Sequence, residues 1–222
     1  MILRLKRMWT ALTDVIWPRG MMCLNCDTYT PGDLLCPDCA SELAQLRLQD
    51  GMGAVRSAYH YAGAVRKLVL GLKLEALGDA AAVLAEAMAE EARAMELPDD
   101  VVLTWVTMPT RRRRARGIDH GKVLCSEVAA RLGLPAKVLL VRVRKTHTQR
   151  GLSARERAQN LQGVFACHEP LKGTVLLIDD VYTTGATAHV CTQALLDAGA
   201  ARVYVLTAAK VARREEYDEL KG

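Results

Sequence analysis

Two acids followed by a threonine-glycine turn close an apolar run in residues 175–188, VLLIDDVYTTGATA. Val175, Leu176, Leu177 and Ile178 read as a buried parallel strand that ends on Asp179 and Asp180. Thr183, Thr184, Gly185, Ala186 and Thr187 then open a helical pattern. A turn of this composition at a helix N-terminus presents unpaired backbone N–H groups and three hydroxyls, the donors that a phosphate monoester needs. The two acids are placed to accept hydrogen bonds from sugar hydroxyls. A phosphate grip beside a diol grip describes a 5-phosphorylated ribose. An ordinary capped helix after a core strand explains neither the paired acids nor the threonines around the glycine.

A second group of residues points to a metal. Cys23 and Cys26, then Cys36 and Cys39, form two Cys-x-x-Cys pairs with nine residues between them. Each pair can present two thiolates on a knuckle turn, and two knuckles complete a tetrahedron about Zn2+. Pro31, Gly32 and Asp33 supply the reversal between the pairs. So short a segment has no core of its own, and metal would supply its folding energy. Four thiolates leave no open position, so the expected zinc is structural. Cys125, Cys167 and Cys191 lack paired spacing and read as core or incidental thiols.

Charge is the third signal. The net value of +5 is modest, but the bases cluster. Arg111, Arg112, Arg113, Arg114 and Arg116 form one block, and Arg142, Arg144, Lys145, Arg150, Arg155 and Arg157 form another. Clustered basicity in two loops suggests an anionic ligand, either a polyphosphate or a nucleic acid.

These residues must be positioned by the elements around them. The chain has 222 residues, half of them apolar with a single Phe, which suits one aliphatic-cored domain and a small appendage. We expect residues 1–50 to hold an amphipathic helix and the zinc ribbon, and residues 51–222 to form the larger domain. Leu5, Trp9, Leu12 and Ile16 share one stripe of that first helix, best docked on the protein's own core. No apolar run reaches the roughly 20 residues that span a bilayer, and a cytoplasmic location is expected. After a helix over 40–48 and a turn at Gly51, Met52 and Gly53, the pattern gives a strand over 55–61, helices over 64–73 and 78–96, and a strand over 101–108. It continues with a helix over 121–131, strands over 137–143 and 174–178, a helix over 186–197 and a strand over 202–208. Such alternation predicts a parallel sheet covered on both faces, with ligands at the carboxyl ends of its strands. The acid pair and the first arginine block both fall there.

The 175–188 segment resembles the 5-phosphoribosyl-1-pyrophosphate (PRPP) motif of type I phosphoribosyltransferases. Together with the tandem Cys-x-x-Cys pairs, Met108-Pro109, Arg116-Gly117 and the stretch from Lys145 through LSARERAQN, it resembles the ComF family from about residue 23 to 209. That resemblance implies a zinc ribbon before a type I phosphoribosyltransferase fold and an association with natural competence, the uptake and handling of single-stranded DNA. It implies that Asp179 and Asp180 hold the ribose diol and that residues 183–187 hold the 5′-phosphate. Arg111, Arg112, Arg114, Arg116 and Gly117 would meet the diphosphate, and Lys145, Gln149, Arg155 and Arg157 would form a hood. Mg2+ would be held chiefly by substrate oxygens. The family usually reads R-G-F-N-Q-A where this chain has Arg116-Gly117-Ile118-Asp119-His120-Gly121, which puts an acid near the expected diphosphate. A glycine commonly follows the first cysteine pair, and here Asp27 stands there.

Three functions fit. One is phosphoribosyl transfer to an acceptor that the sequence does not name. Another is a non-catalytic module that keeps the fold and binds single-stranded DNA or a DNA-uptake helicase. A purine or pyrimidine salvage enzyme fits the motif but has no need of the cysteine knot. Oligomeric state is not legible.

Overall fold

The computed structural model describes residues 21–48, 53–75, 78–109, 117–144 and 163–212. The expected stripe of Leu5, Trp9, Leu12 and Ile16 lies outside them, as do Gly51 and Met52. The chain divides into two compact units between Gln45 and Leu46.

In the first unit, Met22 and Tyr29 form an antiparallel bridge that closes the first knuckle. The Asp33 N–H donates to the Thr30 carbonyl, so the Pro31-Gly32 reversal is present as expected. Helix α1 (Pro37–Gln45) starts on the second knuckle, with proline at the first helical position, where no N–H is needed. It buries Cys39 and Leu43.

The second unit holds β1 (Val55–His60), α2 (Gly63–Leu70), a π-helical turn (Gly71–Glu75) and α3 (Gly78–Arg93). Strand β2 (Val102–Trp105), α4 (His120–Leu132), β3 (Leu140–Arg142) and β4 (Phe165–Cys167) follow. Strand β5 (Thr174–Tyr182), α5 (Ala186–Asp197) and β6 (Arg202–Lys210) complete it. Strands β1-β6-β5-β2 form the central sheet in that order, all parallel. Val175, Leu176, Leu177 and Ile178 are at most 1% exposed, the mark of a strand buried on both faces. Val175, Leu177, Val203 and Val205 pack on Ala188, Cys191 and Leu195 of α5. The alternate residues of the strands face α3 and α4, which pack on each other. Buried alanines at 80, 81, 85, 87, 89 and 92 keep α3 thin enough to lie close to its neighbours. The sheet is thus covered on both faces, as the alternating pattern requires.

Two elements depart from the sequence reading. The stretch expected as a strand over 137–143 meets the parallel sheet only at its start, where Ala136 bridges Leu103 in parallel and Lys137 N–H donates to Leu103 O. Only Leu140–Arg142 is extended, and it pairs antiparallel with β4, which the sequence reading missed. Its apolar residues are buried in the cluster between α5 and the central sheet, where Leu139, Leu140, Val164 and Phe165 join Val175, Leu177 and Cys191. The second departure concerns β5, which does not stop at the acids. It runs on to Tyr182, and Tyr182 is still in register with Lys210.

Both outer edges of the central sheet are occupied. On β1, Leu48 N–H donates to Ala58 O at 3.0 Å and His60 N–H to Leu46 O at 2.8 Å. On β2, Leu103 N–H donates to Pro135 O at 2.8 Å and Lys137 N–H to Leu103 O at 2.9 Å.

Candidate ligand site at the carboxyl edge of the sheet

Because β5 continues through the acids, the pleat sends their side chains to opposite faces. Asp179 shares its face with Val175 and Leu177, the face covered by α5, and its charge reaches Cys191 of that helix. The row it stands in is polar across three strands. Ser57 Oγ and Thr207 Oγ1 lie 2.6 Å apart, and Thr207 is the register partner of Asp179. Its own carboxylate accepts from the Asp180 N–H at 2.9 Å. Burial, and then the Asp180 charge, outweigh that bond and push the Asp179 carboxyl up from 3.8 to about 7.

Asp180 points the other way, toward α3 and α4. Lys73 Nζ lies 2.8 Å from Oδ1 and His120 Nε2 lies 3.0 Å from Oδ2, and the side chain is 9% exposed. Burial opposes its charge, but the His120 hydrogen bond and the Lys73 ammonium prevail and hold the carboxyl below its ordinary value. The two acids of one motif therefore sit in opposite electrostatic environments.

Lys73 reaches the sheet edge from the π-helical turn, a rare geometry that recurs at functional sites. His120 is the first residue of α4. Asp119 caps that helix by accepting from Lys122 N–H at 3.3 Å, so here the acid serves as an N-cap, a role asparagine fills equally well. Gly121 lets α4 approach β2 closely. A Cβ there would stand 3.1 Å from Val106 O and 3.2 Å from Trp105 Cδ1. Trp105 Nε1, Thr107 Oγ1 and His120 Nδ1 are buried without a hydrogen-bond partner among the described residues. Neither Lys73 nor His120 was singled out by the sequence reading. His120 was visible as the residue in the family's glutamine position, whereas Lys73 had no local signal.

The turn after β5 is built as expected. Thr183 and Thr184 are exposed, and Gly185 caps α5 with φ 75° and no side-chain cap bond. That left-handed conformation suits glycine, and a Cβ there would collide with Tyr182 Oη and lie 2.8 Å from Cζ, so the tyrosine ring would have to shift. Ala186 and Thr187 begin the helix, and the first helical bond runs from His189 N–H to Gly185 O at 2.8 Å. The N–H groups ahead of it are the open first turn of a helix. This turn lies on the Asp179 face, because α5 covers that face.

Gly117 is described, with φ 80°, beside the first turn of α4. Arg111, Arg112, Arg114 and Arg116 lie outside the described residues, as do Lys145, Gln149, Arg155 and Arg157. Arg142 is described: its Nε donates to Thr107 O at 3.0 Å and its guanidinium lies 4.6 Å over the Phe165 ring.

In the first unit the sulfurs of Cys23, Cys26, Cys36 and Cys39 all lie within 4.8 Å of one another. Thiolates about 2.3 Å from a tetrahedral ion stand about 3.8 Å apart, so the cluster is sized for a metal ion such as zinc. Cys26 and Cys36 are 3.6 Å apart. Asn25 Nδ2 donates to Cys39 Sγ at 3.1 Å, a bond that orients one ligand from outside the set. Contact with the Thr28 hydroxyl and backbone holds the Cys26 thiol down to about 6. Asp27 adopts φ 58°, the left-handed knuckle position that glycine commonly fills.

No family model matches the chain. Among curated proteins, DNA utilization protein YhgH of Salmonella typhimurium is 34% identical over 77% of this chain and 82% of its own length. YhgH of Escherichia coli K12 is 30% identical over 83% and 88%. Competence protein F of Haemophilus influenzae is 31% identical over 53% and 52%. Solved structures with some likeness include adenine phosphoribosyltransferase from Leishmania tarentolae, 18% identical over 62% of this chain and 60% of that one, TM-score 0.38. A purine phosphoribosyltransferase from Pyrococcus horikoshii is 22% identical over 59% and 73%, TM-score 0.37. Superpositions this loose say nothing of ligand or reaction. The relatives' identity, sustained over most of both chains, does settle kinship: the chain belongs to the ComF family, the group that includes DNA utilization protein YhgH and competence protein F.

Proposed function

We propose that this protein binds PRPP or a related 5-phosphoribosyl ligand with Mg2+, acts in natural competence and the handling of incoming DNA, and transfers the phosphoribosyl group to an acceptor. One observation carries the ligand class: the open first turn of α5, led by left-handed Gly185, lies on the same face of the sheet as Asp179, six residues before that glycine. The backbone N–H groups and the hydroxyls of Thr183, Thr184 and Thr187 take the 5′-phosphate. The acid pair at the end of β5 takes the ribose diol. The basic residues at 111–116 and 145–157 meet the diphosphate and exclude water, and Mg2+, when bound, neutralises the leaving diphosphate. Residues 51–222 are the ligand domain in this reading, and the protein is cytoplasmic. The four cysteines hold one zinc ion, which stabilises the first unit and takes no part in transfer.

Calorimetry with PRPP and Mg2+ tests the ligand. Wild type is expected to bind and the Asp179→Asn, Asp180→Asn double variant to lose at least tenfold in affinity; no binding by wild type sinks the reading. A screen for pyrophosphate release against nucleobases, ammonia and amines then identifies the acceptor.

The relatives' names favour a second reading, in which the fold is a DNA-binding module and the arginine block contacts phosphates. Affinity for single-stranded DNA would then fall steeply with salt, and replacing residues 111–114 with glutamine would flatten that dependence. An unchanged slope removes the block from the DNA contact.

A further inference from the structure

Three buried polar atoms at the carboxyl end of β2 have no hydrogen-bond partner among the described residues: Trp105 Nε1, Thr107 Oγ1 and His120 Nδ1. They belong to neighbouring groups. Trp105, 5% exposed, is the register partner of Ile178 and so stands on the face toward which Asp180 points. His120 opens α4 on that face, with Nε2 3.0 Å from Asp180 Oδ2. Gly121 seats this turn on the indole, since a Cβ there would stand 3.2 Å from Trp105 Cδ1, the ring atom bonded to Nε1. Leaving such atoms bare is costly, and folded proteins satisfy them with protein groups or with ordered water. Their chemistry selects between these. An indole N–H only donates, while a threonine hydroxyl does either. Asp180 Oδ2 only accepts, so His120 Nε2 carries a proton and Nδ1 of the neutral ring is an acceptor. One group must therefore accept from Trp105 and donate to His120. An anion cannot donate, and an apolar group does neither. Water does both, and three partners is the usual number for a buried one.

We infer that one buried water bridges Trp105 Nε1, Thr107 Oγ1 and His120 Nδ1, and that it clamps the two stems of the arginine-bearing segment. Thr107 lies two residues past the end of β2, and His120 begins α4. The segment between them, 108–119, carries Arg111, Arg112, Arg113, Arg114 and Arg116. The water ties both stems to each other and to the end of β2. Each stem is also held from its other side. Arg142 Nε donates to Thr107 O at 3.0 Å, and His120 Nε2 donates to Asp180. The basic segment thus leaves from one fixed point and returns to another. The clamp serves a phosphoribosyl ligand and a nucleic acid alike, so it stands apart from the choice between them.

The test uses the full chain with Trp9→Phe and Trp17→Phe, which leaves Trp105 as its one tryptophan. In a water-selective NOE experiment on the 15N-labelled protein, the Trp105 indole proton is expected to give a cross-peak to water of the sign that long residence produces. Absence of that cross-peak overturns the site. An indole signal that then shifts with added chloride or phosphate assigns the place to an anion, and one that does not shift assigns it to a protein acceptor. Thr107→Val and Trp105→Phe, made in the wild-type chain, each remove one partner and keep the shape nearly intact. Each is expected to lower the folding constant by roughly three- to tenfold in denaturant titration, and the pair by less than the product of the two. Losses that multiply refute a shared partner. Trypsin reads the clamp separately, under conditions where the protein stays folded. Cleavage within 111–116 is expected to quicken by about threefold or more in Thr107→Val. A rate equal to that of wild type refutes the clamp, even where the water is seen.

Discussion

Replacing Asp179 with asparagine should make the protein more stable, although it damages the proposed site. The wild-type carboxyl is raised from 3.8 to about 7 by burial and by the Asp180 charge, so the folded chain holds an anion above neutral pH that it would rather hold protonated. A rise of that size corresponds to at most about 4 kcal/mol. Partial solvent contact and the cations that offset Asp180 reduce it, and we expect about 2 kcal/mol. Asparagine removes the charge while its Oδ1 still accepts the Asp180 N–H, so the 2.9 Å bond survives. For a chain of this size the gain is about 4–8 °C in melting temperature. Its pH dependence identifies the cause. A folded-state pKa above the unfolded value gives stability that is fully present below about 3.8 and lost as pH rises through about 7. The variant's advantage is therefore largest above pH 7 and shrinks steadily toward pH 4. Thermal melts of both proteins at half-unit steps from pH 4.5 to 8.5 provide the measurement. A variant that melts below wild type at pH 8, or a gain that does not vary with pH, would refute the reasoning. Natural sequences keep such a costly acid where it has work to do.

Lys73→Met leaves Asp180 buried without its ammonium partner, and should lower stability at pH 7 by about 3 kcal/mol in denaturant titration. Asp180 itself is held below its ordinary value, so the stability that its pairing gives is present above the unfolded pKa and is lost as pH falls through the folded one, opposite in sign to Asp179. Gly185→Ala puts a Cβ against Tyr182 at φ 75°, costs about 2 kcal/mol, and abolishes ligand binding in calorimetry; adding Tyr182→Phe recovers part of the stability. Metal analysis should find about one zinc per chain, and a chelator or Cys36→Ser should unfold the first unit, seen as rapid proteolysis within residues 21–45. Gly121→Ala forces small shifts against Val106 O and Trp105 and should cost about 1 kcal/mol in thermal melts.

Much of the fold was legible because its signals are local. The run of Val175, Leu176, Leu177 and Ile178 names a two-sided strand, paired cysteines name a four-sulfur cluster, and alternating apolar periods name a parallel sheet. The site was legible in part. The threonine-glycine turn could be read from residue types, since a left-handed cap after a strand needs glycine. What failed was anything decided by a distant partner. Strand β4 is only three residues long and owes its existence to β3 and α5. The length of β5 past Ile178 is set by β6, because Val181 and Tyr182 find hydrogen-bond partners in Ala209 and Lys210. That extension separates Asp179 from Asp180, and no composition rule anticipates it. Lys73 was invisible for the same reason, being 107 positions from its partner and delivered by an irregular turn.

The covered edges of the central sheet limit how this protein can meet others. With 46–48 bonded along β1 and 135–137 along β2, neither rim offers the row of free amides and carbonyls that an extended peptide uses to add itself as another strand. Among the described residues, adding a strand at either rim of the central sheet is closed. A macromolecule that meets this sheet is recognised by side chains, on helix faces or on the loops at the ends of the strands, where charge and shape set specificity rather than backbone pairing.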